Sequence, residues 1–340
     1  MRITRESLLT IARNTLAQRL MRDRRLLCVY ISGSLCMDHP LLGGTTDIDM
    51  FFIHNEEIPT QREIVRVSDD IHLDIAHLPA SAFNHPRSLR LDPWLGSYLC
   101  EQSIVLHDIQ HWFEFTQASV CAQFNQPENQ YQRSLPLAEN ARQAWLQMSG
   151  QARPFGPAAL KDYLDCVENA ANAIALLSGP PLVQRRFLLQ FGSRTAAIQQ
   201  PGLETELVGL ITSGEIDSQT WSQWLDEWDQ ALKQAAGQAG CPPSLHAARR
   251  NYYYKAVESL YEEHPEAAIW ILLRTWTRAL GCLPADIAPL AGWQAACQAL
   301  SLDENSFSRR LQELDSFLDH VEETLDIWAY QTGVKTSSNL

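Results

Sequence analysis

Asp47 and Asp49 stand two residues apart in the apolar run TTDIDMFFIH, and Gly33-Ser34 closes a preceding apolar run, VYIS. Side chains two apart on a strand share a face, so the two carboxylates lie roughly 7 Å apart along it. That spacing suits two divalent cations held about 4 Å apart, an arrangement that stabilises both the attacking and the leaving oxygen of a phosphoryl-type displacement. A third carboxylate, Asp74, is the lone acid in IHLDIAHL. On a neighbouring strand it would join the first two, and three converging carboxylates repel one another unless cations sit between them. Carboxylate oxygens with room for water favour magnesium or manganese.

The elements that must hold these residues follow from periodicity. Leu8, Leu9, Ile11, Ala12, Leu16 and Leu20 recur at helical spacing and predict an amphipathic first helix packed on a sheet. Strands are predicted over Leu26–Ser32, Asp47–Ile53, Ile71–Leu78 and Ser103–His107, with a short helix or turn from Leu35 to Pro40 and helices over Thr60–Ser68 and Pro93–Gln102. A polar passage from Gln123 to Pro136 reads as a linker, and a second break falls at Ala152–Pro157. Helices follow over Ala158–Leu177, Leu182–Gln199, Leu203–Thr212, Ser218–Ala236, Leu245–Ala279 (with Ser244 as N-cap), Pro289–Leu300 and Asn305–Tyr330 (with Asn305 as N-cap), then a disordered KTSSNL tail. The fold class expected is α+β, a small mixed-sheet domain over residues 1–122 followed by an all-helical domain over 136–335, divisible into lobes 136–236 and 245–335.

Composition narrows the partners. A formal charge of -13 over 340 residues argues against an extended, sequence-independent grip on nucleic acid. No apolar run is long enough for a membrane span or a signal peptide, which predicts a cytoplasmic protein with no membrane partner. Eight cysteines without a C-x-x-C pair or zinc spacing read as reduced thiols. P-loop, dinucleotide, serine-hydrolase and zincin motifs are absent from the sequence.

A strand, Gly-Ser, a spacer, an apolar-flanked Asp-x-Asp and a later strand Asp together resemble the nucleotidyltransferase superfamily that includes DNA polymerase β and the aminoglycoside nucleotidyltransferases. The resemblance covers about residues 26–108. It implies transfer of a nucleoside monophosphate, AMP from ATP in the first place although another nucleoside triphosphate fits, to a small hydroxylated acceptor, for which a cationic one suits the acidic chain, with release of pyrophosphate. It further implies that Gly33, Ser34 and Thr46 contact the triphosphate, that Asp47 and Asp49 bind both metals (Mg2+, or Mn2+), and that Asp74 binds the metal that activates the acceptor hydroxyl. The spacer between Ser34 and Asp47, 12 residues, is longer than usual, and LCMDHPLL lacks the arginine often found after Gly-Ser. AMP transfer to a protein hydroxyl, or a non-catalytic nucleotide-binding or regulatory module of the same fold, are the alternatives.

The helical half offers weaker signals. Glu168 is the first candidate for a general base, beside Asp165 at the edge of an apolar stripe. Lys161 and Lys255 are candidates for triphosphate contact, although a solvated helix face explains them better. Arg185 and Arg186 read as surface charges, and Tyr252 to Tyr254, Trp270 and Trp276 as core. His72 and His77 flank Asp74 but face opposite sides of their strand.

Overall fold

The computed structural model describes residues 3–21, 25–56, 58, 60–150, 154–212, 214, 216–284 and 288–335. The chain divides into two compact units, Met1–Asn129 and Gln130–Leu340. The first is mixed α/β, and the second is built from helices.

The first unit opens with helix α1 (Arg5–Leu20), capped by Thr4, whose hydroxyl accepts from the Ser7 amide. Five strands follow: β1 (Leu26–Ser32), β2 (Thr46–His54), β3 (Arg62–Arg66), β4 (Ile71–Pro79) and β5 (Ile104–Asp108). They form one sheet in the order β3-β4-β2-β1-β5. The β2 and β4 pair is parallel and the other pairings are antiparallel. Alternate residues of the central strands serve two cores. Val29, Ile31, Ile48, Met50, Phe52, Leu73 and Ile75 pack with Leu8, Ala12 and Leu16 of α1. Cys28, Tyr30, Phe51 and Ile53 face the opposite core with Leu89, Leu99, Phe113 and Val120, supplied by α2 (Pro86–Leu91), α3 (Leu95–Cys100) and α4 (Trp112–Cys121). Coverage of both faces explains why β1 is apolar throughout rather than alternating.

Residues 60–68 depart from the helix expected there, because Arg62–Arg66 is the edge strand β3, hairpinned onto β4 with Ile64 opposite Asp74. Its two end arginines are exposed and three of its five residues are charged, as suits a strand at a water-facing edge. A second departure concerns the thiols. Cys100 and Cys121, at the ends of α3 and α4, form a disulfide with their Cα atoms 5.4 Å apart, whereas the other six cysteines are free.

The second unit comprises α5 (Pro127–Gly150, which begins at the end of the first unit), α6 (Pro157–Ala175), α7 (Phe187–Ala197), α8 (Gly202–Ile211), α9 (Ser218–Ala236), α10 (Arg250–Leu260), α11 (Pro265–Cys282), α12 (Leu290–Ala299) and α13 (Glu304–Thr332). Helix α5 replaces most of the expected linker, carrying Pro136 in its interior at the loss of one ladder hydrogen bond. The helical run expected from Leu245 to Ala279 breaks before Pro265, whose missing N–H and fixed φ suit a helix start and not an interior. Ser244 lies in a 3-10 turn, and α13 is preceded by Asp303 rather than capped by Asn305. Of the Ala152–Pro157 break and the KTSSNL tail, residues 151–153 and 336–340 lie outside the described residues. Helix α11 is buried nearly all round, with Trp270 and Trp276 fully enclosed. It is therefore a core helix, and its Thr275 and Thr277 hydroxyls accept from Trp228 and Trp293 at 2.9 and 3.0 Å.

Candidate metal centre

The centre is built where β2 begins. A Leu42–Thr45 bridge encloses Gly43 and Gly44, both with positive φ of 59° and 76°, as the tight two-residue turn requires. The chain leaves that turn as β2, and the Thr46 amide donates to the Asp70 carbonyl at 3.0 Å, which ties the strand's first residue to the start of β4. Parallel pairing then sets Asp49 directly beside Asp74, and Asp47 beside His72. Because Asp47 and Asp49 are two apart, all three carboxylates emerge on one face, with oxygens within 4.8 Å of one another. Asp47 and Asp74 are buried and Asp49 is partly so.

Gly33 fits against this cluster. Its φ is +77°, and a Cβ added there would collide with Asp49 Oδ2. Only glycine lets the β1 end cross so close to the carboxylate without strain. Ser34 follows in a 3-10 turn, Gly33–Cys36, and its hydroxyl lies 3.3 Å from that of Thr46. The Thr46 hydroxyl is also within 3.1 and 3.0 Å of the Pro40 and Asp47 carbonyls. Thr46 thus anchors the spacer to β2, and Ser34 presents a half-buried hydroxyl beside it. Ser32, opposite Asp49 on β1 and on the same face, is fully buried with no hydrogen-bond partner for its Oγ among the described residues.

Two groups that sequence reasoning missed complete the surroundings. Arg62 reaches diagonally from β3 to Asp74, donating from Nε to Oδ1 and from Nη2 to Oδ2, both at 2.6 Å. Strand pairing puts Arg62, Ile64 and Arg66 on the face of Asp74, which the polarity pattern of the segment does not announce. Tyr98 on α3 packs at a tilt against Phe51, their ring centroids 5.4 Å apart. Burial pushes its phenol far up, and the negative charges of Asp49 and Glu101 push it further. The Cys36 thiol is likewise pushed up to about 11, chiefly by burial and in part by Asp49. Tyr98 and Cys36 therefore stay neutral beside the acids, and Tyr98 remains a donor.

The histidines of β4 divide as expected. His77 lies on the α1 face, 2.9 Å from His54 Nε2 and 2.8 Å from Glu63 Oε1. His72 shares the side of Asp74.

In the second unit, Glu168 is bound to Arg274, which also contacts Asp165 at 2.5 Å. Burial alone would raise the Asp165 carboxyl, but the charge of Arg274 and the Lys161 hydrogen bond outweigh it and hold it low. Glu168 is thus one of two carboxylates gathered by a buried guanidinium. Lys161 pairs with Asp165 and Lys255 with Glu258, both at 2.7 Å. Arg185 is buried rather than exposed, its guanidinium 3.6 Å above the Tyr252 ring, which spreads the cation over a π face. A separate cleft of about 610 Å³ opens among Met148, Asp162, Phe307 and Leu311.

Neither protein-family models nor curated proteins give a match to this chain.

Proposed function

We propose that this chain is a magnesium- or manganese-dependent nucleotidyltransferase that moves a nucleoside monophosphate, AMP from ATP as the first choice, onto a hydroxyl of a small acceptor. One observation carries the reading: Asp47, Asp49 and Asp74 converge within 4.8 Å on a sheet face, beside the strand that leads into Gly33-Ser34. Three carboxylates placed so close are a cost to folding that a cation removes. The donors fit a hard cation, being carboxylate oxygens with an unsatisfied Ser32 hydroxyl on the same face.

In this reading Asp47 and Asp49 would hold the metal pair, and Asp74 would add a ligand to one of its members. When bound, the cations would supply charge neutralisation for the triphosphate and acidify the acceptor hydroxyl. Gly33 and Ser34 bind the phosphate tail, while Thr46 fixes the spacer so that the Ser34 hydroxyl stays in place. The acceptor hydroxyl gives its proton to solvent water, and its oxygen bonds to the α-phosphorus. The bond to the bridging oxygen breaks, and pyrophosphate departs with the electron pair. The uncharged Tyr98 hydroxyl is a donor on the acid side of this site. Glu168 is paired with Arg274, and no step here is assigned to it.

Calorimetric titration tests the binding half. ATP with magnesium is expected to bind the wild type, and Asp49→Ala to weaken it by at least tenfold. Equal binding by the two proteins would remove the metal pair from the account.

A further inference from the structure

Resting on the metal-centre reading above, we infer that Arg62 is a positioning residue that serves as the standing counter-ion of Asp74, so that without nucleotide the centre takes one divalent cation, the second entering as Arg62 leaves. The geometry is specific. Ile64 is the cross-strand neighbour of Asp74, and Arg62 lies two residues along the same face of the edge strand, the diagonal distance that a long side chain spans. From there its guanidinium meets both Asp74 oxygens at 2.6 Å in fork-to-fork fashion. Asp74 is almost wholly buried, 3% exposed, whereas the Arg62 side chain is half exposed.

These two exposures set the direction of exchange. The carboxylate is fixed by the sheet and has to keep a cation, because a buried charge stripped of its partner is costly. The guanidinium sits on a flexible stem at the sheet's edge and can swing into water at little cost. Charge points the same way. Counting these four side chains alone, the three carboxylates at -3 and Arg62 at +1 sum to -2, the charge that one divalent cation cancels. With Arg62 gone, a second cation takes the three carboxylates from -3 to a net +1, which the triphosphate supplies the means to balance. Arg62 thereby couples entry of the second metal to arrival of the nucleotide, and gains a phosphate oxygen as its new partner when it moves.

Titration of full-length protein with MnCl2, following the free Mn2+ signal by electron paramagnetic resonance without nucleotide, tests this. Wild type is expected to hold one Mn2+ per chain. Arg62→Gln is expected to hold two, or to bind Mn2+ at least tenfold tighter, and Arg62→Lys, which keeps the charge but loses the fork, is expected to fall between. Asp47→Ala sets the background, and circular dichroism melts check that each variant folds. Two sites in wild type, or one site of unchanged affinity in both Arg62 variants, overturns the role of Arg62 and leaves the metal centre intact. Binding by wild type no stronger than by Asp47→Ala overturns both.

Discussion

A methyl group at position 33 is enough to disturb the centre, because it would occupy the space of the Asp49 carboxylate on a backbone whose φ of +77° already disfavours any side chain. Gly33→Ala is therefore expected to cost about 1–2 kcal/mol from backbone conformation alone, measurable as a lower urea midpoint. Because Asp49 is the atom displaced, Mn2+ affinity should fall with it; unchanged affinity would mean that Asp49 is not a ligand. A different residue reports on pH. Asp165 has its carboxyl held below the ordinary 3.8 by Arg274 and Lys161 against the opposing effect of burial. A carboxyl depressed in the folded state adds stability that is complete above the unfolded value and is lost as pH falls through the folded one. Asp165→Asn is thus expected to be less stable than wild type at pH 7, with the gap closing below pH 3.8. A gap that widened on acidification would show that the carboxylate is not stabilised by its neighbours.

Elements differ in how openly the sequence declares them. Strands β1, β2 and β4 are apolar runs buried on both sides, so their composition marked them to within a residue or two. Strand β3 lies at the edge with exposed arginines at both ends, and its five residues carry three charges, which resembled a helix surface. Missing β3 meant missing Arg62, since only strand pairing brings it to Asp74. The three acids were legible because two share a face by period and the third needed only a neighbouring strand; the parallel register that aligns Asp49 with Asp74 was not. The disulfide was equally silent in the sequence. Cys100 and Cys121 are 21 residues apart without a motif, and only the side-by-side packing of α3 and α4 joins them. Alkylation of the denatured, unreduced protein is expected to modify six thiols, and eight after reduction. Closing a loop of 21 residues contributes on the order of 3 kcal/mol, so Cys100→Ser should melt several degrees lower under oxidising conditions. Eight reactive thiols before reduction would contradict the bridge.

At the scale of the molecule, a formal charge of -13 sets the long-range field against any nucleotide. Raising salt from about 0.05 to 0.2 M should screen that repulsion, so ATP association at fixed magnesium is expected to become faster, not slower; slower association would place local cations in control. Among the described residues no helix is long and apolar enough to cross a membrane. The two units are each well packed, the first around two faces of one sheet and the second around α11. What defines the acceptor is not declared by the charge of the whole, and the account rests on the carboxylates of the first unit. Pyrophosphate release from ATP and magnesium, measured across a panel of hydroxylated acceptors, tests that claim most directly. The account predicts acceptor-dependent release by wild type that falls by about 10²-fold or more in Asp47→Asn. Equal release by the two proteins would contradict it.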